Sequence, residues 1–314
     1  MRNPFEWVSR RYDRALTGAR ARSGVFDHFW RAKERYESVL GGRLAAAIAY
    51  YAFFAVFALA LVAYSVLGFA LGASSDLKGS VTQYLAANLP WLQVSQIEQS
   101  RGTVALIGLA GLVLTGVGWV EGLRSSERLI WGLDEQPGNT VVRRLVDLGI
   151  LVGLGVLVGL SLWVTGGIER LLFGFTPDQV PPWMQDLLSS ASVVLGWVVN
   201  LTLAAALIAG VPRLRMPPRR LLPPTLLVAI GITLLTTLGR FIFQRTENNP
   251  AYQVASSVVG LLVFLYLFHQ LVLFGSAIAA TSKHGRVVDL AAGPPAPQPP
   301  PPAATPAPTE NGSP

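Results

Sequence analysis

The sequence predicts an all-α integral membrane protein with six transmembrane helices and both termini in the cytoplasm. Three observations support this: the composition, the apolar blocks, and the placement of Lys and Arg. The 314-residue chain is 51% hydrophobic and only 14% charged, whereas soluble domains carry about 25% charged residues. Its mean hydropathy is +0.45, so a soluble fold would lack polar surface. The absence of cysteine excludes disulfides, cysteine zinc sites, iron–sulfur clusters and thiol nucleophiles.

Six continuous apolar blocks have the length of a membrane-crossing helix, which is about 20 residues for about 30 Å of hydrocarbon. In chain order they are Leu44–Gly72, Thr103–Val120, Val146–Thr165, Leu187–Val211, Leu222–Phe241 and Val254–Ala280. Strands of a membrane barrel would instead alternate polar and apolar residues over about 10 positions. The blocks therefore favour helices, and residues 44–285 form the predicted six-span domain.

Lys and Arg are concentrated in alternate segments between these blocks. Twenty of the 25 lie in residues 1–43, 121–145, 212–221 or the segment after the sixth block, and five lie in the other three connections. Because basic residues mark the cytoplasmic side, both termini are expected there. The net charge of +7 then reflects topology, and no nucleic-acid partner is expected. Because the first span begins 43 residues into the chain, we expect no cleavable signal peptide.

Two interfacial helices are expected outside the spans. Residues 1–43 form a basic N-terminal segment, and within it Phe26–Leu40 gathers apolar side chains near one face, which is typical of a helix lying on an anionic leaflet. A solvated basic helix is the alternative. The second is expected between spans one and two, in residues 73–102, where apolar residues recur at helical spacing before Pro90.

The predicted C-terminal tail, residues 286–314, is rich in proline. Its last 22 residues, Gly293–Pro314, contain ten prolines and show no apolar periodicity. Such a composition is typical of a disordered, partly polyproline II segment. The tail is either inert, which we favour, or a ligand for a partner protein.

The third block carries four glycines, Gly149, Gly153, Gly155 and Gly159, in two pairs spaced four residues apart. Such small-xxx-small pairs let helix backbones approach closely. We therefore expect these glycines to pack this helix against neighbours. The pair Gly118 and Gly122 repeats the spacing.

Polar residues at membrane depth are the candidates for substrate binding, because their burial is costly. Glu121, Arg124 and Arg128 share one face where the second span ends. A solvated cytoplasmic extension is the favoured interpretation, and a polar pocket facing the bundle is the alternative. Asn200, in the middle of the fourth span, either hydrogen-bonds across helices or lines a cavity. Asp147 follows Arg143 by four residues, which predicts an ion pair at a helix end.

The sequence does not point to an enzyme. The three histidines, His28, His269 and His284, have no partner at metal-ligand spacing. Phosphate-binding loops and nucleophile elbows are also missing from the sequence. We therefore expect no catalysis, no metal and no cofactor, and we expect His269 to be structural.

Several runs resemble the YihY/BrkB family of bacterial inner-membrane proteins across roughly residues 25–285. They are the run from Arg43 to Tyr51, Leu129 to Gly132, Val211 to Arg213, Arg219 and Arg220, Leu222 to Pro224, Asn249, Tyr252, and Leu262 to Tyr266. The chain departs from the family pattern at Phe53–Leu59, which lacks a serine and a proline, and around Gly275–Ala277, which lacks a glutamate. The basic N-terminus and Pro-rich tail are similar to the branch called YhjD.

The resemblance implies a six-span protein of the bacterial cytoplasmic membrane, with links to envelope lipid handling and virulence. The family's former label, ribonuclease BN, is regarded as mistaken. We expect transport or lipid handling of an amphiphile or small solute, with membrane lipids as partners. The alternative is a non-transporting membrane scaffold, which would bind partners through its tails. A homo-oligomer is compatible with either.

Overall fold

Most of the described chain is helical, as expected for an all-α membrane protein. The computed structural model describes residues 16–73, 94–173, 182–245 and 250–292. Helix α1 (Gly24–Ser38) precedes six long helices, which are α2 (Gly41–Ala73), α3 (Val94–Trp131), α4 (Thr140–Phe173), α5 (Pro182–Ala205), α6 (Pro218–Arg245) and α7 (Pro250–Thr281). A π-helical turn, Ala206–Gly210, extends α5. Two short strands, β1 (Leu214–Arg215) and β2 (Val288–Asp289), pair antiparallel.

Five helices are long and apolar enough to cross a membrane. Their spanning segments are Gly41–Val66, Gly102–Trp131, Val193–Gly210, Pro218–Gly239 and Val258–Thr281. Each overlaps one predicted block. The remaining block, Val146–Thr165, lies on α4, and the surroundings of its side chains beyond residue 157 are outside the described structure. The sixth span and the cytoplasmic position of the termini therefore stay predictions.

Local sequence signals explain where several helices begin and end. Ser23 caps α1, because its Oγ accepts a hydrogen bond from the Phe26 amide at 3.3 Å. Asn139 caps α4 in the same way, through the Val141 amide at 2.8 Å. At the end of α3, Gly132 has φ +68°, and the Leu133 amide reaches back to the Arg128 carbonyl at 3.0 Å. This is the usual C-terminal cap of a helix, in which a glycine in the left-handed conformation ends the helix.

One end of the bundle, which we call the basal end, collects α1, the last turn of α3, the start of α4, β1 and β2. Along the bundle, α2 packs on α3, and both contact α7. Helix α4 packs against α3, and α5 packs against α4. Helix α6 lies between α5 and α7 and so completes a ring of helices. A shared core of buried apolar side chains, including Ile48, Leu123, Ile208 and Leu273, joins these helices. The ring places the polar ends of α3, α4 and α7 next to one another.

Helix α1 coincides with the predicted interfacial helix and docks on the end of α7. The Phe29 and Tyr36 rings meet the Phe274 ring at centroid distances of 5.2 and 5.9 Å, and the His28 ring lies 2.9 Å from the Ile278 carbonyl oxygen. Val25 remains 83% exposed. One face is thus held by protein, and contact of the other face with lipid stays a prediction. Residues 74–93, which carry most of the second expected interfacial helix, and the tail Gly293–Pro314 lie outside the described residues.

Three glycines of α4, Gly149, Gly153 and Gly155, do not pack against neighbouring helices of the described chain, which corrects the expectation for them. A Cβ placed on Gly149, Gly153 or Gly155 would meet no atom within 4 Å, because α4 turns a different face, that of Asp147, Ile150 and Leu154, toward the bundle. The surroundings of Gly159 lie in the part that is not described.

Close helix approaches occur at other glycines. A Cβ on Gly108 would lie 2.9 Å from Leu61 Cβ, and one on Gly275 would lie 2.6 Å from Val228 Cγ2. The pair Gly118 and Gly122 faces α2, at Tyr51 and Ile48. Glycine therefore brings α3 against α2 and α7 against α6.

Candidate functional site: a buried polar network at the basal end

Arg124 and Asp147 form a fully buried ion pair between α3 and α4. Arg124 Nε and Nη2 donate to the two Asp147 carboxylate oxygens at 2.9 and 3.1 Å, and both side chains are completely shielded from solvent. The remaining nitrogen, Nη1, donates to the Glu135 carbonyl at 2.9 Å. This two-point geometry is the strongest arrangement that a guanidinium and a carboxylate can adopt.

Arg213 brings the chain between α5 and α6 to the same carboxylate. Its Nη2 donates to Asp147 Oδ1 at 3.1 Å. The Arg213 backbone is left-handed, with φ +61°, a conformation that is uncommon for residues other than glycine. Burial lowers the pKa of the Arg213 guanidinium, and the Asp147 carboxylate opposes that effect. Two guanidinium groups thus share one carboxylate, so this part of the network is cationic.

The expected ion pair between Arg143 and Asp147 is not formed. Arg143 donates instead to the backbone oxygen and the side-chain Oε1 of Gln136, both at 3.2 Å. Asp147 faces α3, where Arg124 offers two aligned donors. The ion pair between α3 and α4 therefore forms in place of the expected pair between Arg143 and Asp147 within α4.

Arg128 fastens the segment after α7 to the rest of the bundle. Its Nη1 and Nη2 donate to the two Asp289 carboxylate oxygens at 2.9 and 2.7 Å. Nη1 also reaches the Pro212 carbonyl at 3.1 Å, and Nε donates to the Asp134 carbonyl at 2.5 Å. The hydrogen bonds from Arg128 hold the pKa of the Asp289 carboxyl below its ordinary value.

Glu127 is the polar residue of this region that the sequence reasoning missed. It is fully buried, and its Oε1 accepts a hydrogen bond from Ser276 Oγ on α7 at 2.6 Å. Its Oε2 has no hydrogen-bond partner among the described residues. Glu127 lies three residues after Arg124 and next to Arg128, so the same helix-face argument could have included it.

The four predicted substrate-binding residues do not form one site. Arg124 and Arg128 join the network, and with 0% and 1% exposure they contradict the favoured solvated interpretation. Glu121 is only partly buried. Asn200 lies elsewhere and donates to Thr233 Oγ1 on α6 at 3.2 Å, which confirms a hydrogen bond across helices.

His269 forms a second interhelical contact within the spans. The Trp119 Nε1–H of α3 donates to His269 Nε2 at 2.8 Å, and His269 Nδ1 lies 2.6 Å from the Leu265 carbonyl oxygen. Because an indole N–H only donates, Nε2 is the acceptor and the proton is on Nδ1. A structural role for this buried histidine agrees with the expectation.

Taken together, the network joins parts of the chain that are distant in sequence. Every guanidinium nitrogen of Arg124 and Arg128 donates to a protein oxygen. In this state, each of these nitrogens is already held by the protein. Within the described residues, no three His, Cys, Asp or Glu side chains form a group that could hold a metal ion. The geometry suits a cationic clamp that fixes the basal ends of α3, α4 and α7.

Two known proteins are similar in sequence to this chain over most of its length. The chain is 26% identical over 279 residues to the inner membrane protein YhjD of Escherichia coli (strain K12), which covers 84% of this chain and 83% of that protein. It is 27% identical over 275 residues to an uncharacterized protein of Dickeya dadantii (strain 3937), with coverage of 81% and 83%. No solved structure matches the chain.

The family comparison covers the basal network and all of the long helices. The family model described as virulence factor BrkB matches residues 32–299, and the resemblance noted in the sequence is thereby confirmed. With its apolar spanning helices and its inner-membrane relative, the protein is a multi-pass protein of the inner membrane. The chain belongs to the BrkB family.

Proposed function

We propose that this protein transports or otherwise handles an amphiphilic molecule or small solute in the inner membrane, with membrane lipids as the first candidates. The observation that carries the proposal is the separation of polar from apolar surface. The ion pairs gather at the basal end, while only 17% to 28% of the residues in the five spanning windows are buried. Most of the apolar helix surface therefore faces outward, where an amphiphile in the bilayer can reach it.

The open side of α4 supports this proposal. Gly149 and Gly153 lie one turn apart and have open space where a Cβ would stand. These two positions without a side chain leave a shallow gap on this side of α4, which an acyl chain beside the bundle could enter. The cationic Arg124–Asp147–Arg213 group lies at the basal end of the same helix. A path along α4 would thus lead from an apolar region to a positively charged one.

The four candidate substrate-binding residues enter the proposal in different roles. Arg124 and Arg128 would act through their charge, because their nitrogens are already bound to protein oxygens. Glu121, partly exposed and one turn before Arg124, would meet a headgroup at the edge of the bundle. Asn200 would contact a substrate only after its side-chain amide breaks the hydrogen bond to Thr233 Oγ1.

Reconstitution into liposomes tests the proposal. Movement of fluorescent lipids and of small solutes across the bilayer should be faster with the protein than in empty vesicles. The double variant G149L/G153L should slow that movement, because leucine fills the open side of α4. The matched control is Val152→Leu, which adds volume at a 57% exposed position of the same helix. Movement equal to that in empty vesicles, across the panel, would contradict the proposal.

A membrane scaffold is the alternative from a different class. The observation that favours it is the docking of α1, which leaves Val25 exposed and free to meet another protein. Removing residues 1–15 and 293–314 and replacing the exposed Val25 with Asn, while keeping the rest of α1, separates the two functions. A scaffold that works through its tails would lose its cellular function with an intact bundle, whereas a transporting bundle would keep it. Neither function involves cleavage of RNA.

A further inference from the structure

One face of α2 carries an exposed arginine followed by a row of exposed aromatic rings. At about 100° per residue, Arg43, Tyr50, Phe54 and Phe57 fall within about 60° of one another around the helix axis. Tyr50, Phe54 and Phe57 are 60%, 43% and 48% exposed. We call these four residues the α2 stripe.

The stripe points away from the bundle. The opposite face of α2 carries Ala45, Ile48 and Ala52, which are buried where α2 packs against α3 and α7. The stripe is therefore on the side of the helix that the bilayer covers.

The aromatic rings form a continuous ladder. Tyr50 and Phe54 meet edge to face at a centroid distance of 4.9 Å, and Phe53 links Phe54 to Phe57 at 5.5 and 4.8 Å. Aromatic side chains normally collect at the membrane–water interface. With a rise of 1.5 Å per residue, Phe57 lies about 21 Å along the helix from Arg43. The ladder thus reaches well into the hydrocarbon region.

Arg43 begins the stripe at the basal end. It is exposed, and no described side chain pairs with its guanidinium, in contrast to the buried arginines of the network. Between Arg43 and Tyr50 lie Ala46 and Ala47, which are also exposed. These small residues leave a step on the helix surface between the charge and the first ring.

We propose that the α2 stripe binds an anionic phospholipid of the leaflet at the basal end. The phosphate contacts Arg43, the glycerol region occupies the step at Ala46 and Ala47, and one acyl chain lies along the aromatic ladder. One leaflet of hydrocarbon is about 15 Å thick, and the ladder from Tyr50 to Phe57 covers about 10 Å of it. An anionic lipid is favoured over a zwitterionic one because no carboxylate of the described residues pairs with the exposed Arg43 guanidinium. This site does not depend on whether the protein moves lipid.

Native mass spectrometry of the purified full-length protein tests the site. The protein is released from nanodiscs of mixed phosphatidylglycerol and phosphatidylcholine, and the retained lipid is identified. Wild type should retain phosphatidylglycerol preferentially. Arg43→Gln should reduce its occupancy about fivefold, which corresponds to the roughly 1 kcal/mol that one basic residue contributes near an anionic membrane surface. F54L/F57L should reduce retention while keeping the surface apolar.

Two control variants make the result specific. Arg144→Gln removes an exposed arginine from the basal start of α4, and Ile230→Val with Leu234→Val alters exposed apolar positions on α6. Neither should change retention. Equal losses for Arg43→Gln and Arg144→Gln would overturn the proposal in favour of general surface attraction. Unchanged retention of phosphatidylglycerol in Arg43→Gln would also overturn it. In that case, a shift from dimer to monomer in F54L/F57L would identify the α2 stripe as an interface between two copies of the chain.

Discussion

Arg128 on α3 and Asp289 on β2 are 161 positions apart in sequence, and two hydrogen bonds of 2.9 and 2.7 Å join their side chains. The Arg128 side chain is 1% exposed and that of Asp289 is 16% exposed. Through this pair, the segment that follows α7 is attached to the end of α3. The pair also places β2 beside β1, where the Leu290 amide donates to the Arg213 carbonyl at 3.0 Å.

Replacing Asp289 with Asn should destabilise the basal end. The amide cannot match both donors of Arg128, which then keeps a buried charge without its carboxylate, at a cost of about 3 kcal/mol. Thermal or SDS-induced unfolding of the purified protein in detergent measures the loss. Glu135→Gln is the matched control, because that exposed side chain is in the same region and only its carbonyl is used by Arg124; it should change stability by less than about 0.5 kcal/mol. Equal losses of stability in the two variants would show that the Arg128–Asp289 pair does not stabilise the basal end.

The same pair predicts a loss of stability in acid. Because the folded-state pKa of Asp289 is lowered, its contribution is complete above the unfolded value of about 4 and disappears as pH falls through the folded value. The melting temperatures of wild type and Asp289→Asn should therefore differ at pH 7 and begin to converge as the pH falls below about 4. A difference that stays constant down to pH 3 would show that Asp289 does not titrate as the geometry requires.

Removing the indole donor of Trp119 should weaken the contact between α3 and α7. In Trp119→Phe, the His269 Nε2 atom stays buried without a partner, which costs about 1–3 kcal/mol in addition to lost packing. Trp197→Phe is the control, since it makes the same chemical change at a side chain that is 37% exposed. A double-mutant cycle with His269→Phe isolates the hydrogen bond, and a coupling energy near zero would argue against it.

Two glycine-to-alanine substitutions should change stability in opposite directions. At Gly275 the new Cβ would lie 2.6 Å from Val228 Cγ2, and because valine is stiff, we expect a loss of about 1–3 kcal/mol. At Gly153 the new Cβ has open space, so better helix propensity should stabilise by up to about 1 kcal/mol. Unfolding in detergent compares the two. A loss at Gly153 would place a partner on that face, such as a second copy of the chain.

The sequence alone accounts for the helical class, for the five spans found, for the presence of helix α1 and for the family. These features depend on local properties: the length of an apolar run, the periodicity of a helix face, and capping residues such as Ser23. The same local reasoning placed Arg124 and Arg128 on one helix face at the end of a span, but it favoured a solvated extension, whereas both side chains are buried.

The tertiary structure alone decided what those residues contact. Arg124 binds the Asp147 carboxylate of α4, 23 positions away, and Arg128 binds the Asp289 carboxylate of β2, 161 positions away. Asp147 forms no ion pair with Arg143, the arginine four residues before it. Gly149, Gly153 and Gly155 of α4 have the spacing of a packing motif, yet they face open space because another side of α4 meets the bundle. Spacing along one helix specifies which residues share a face, but the partner of that face is chosen by how several helices pack together.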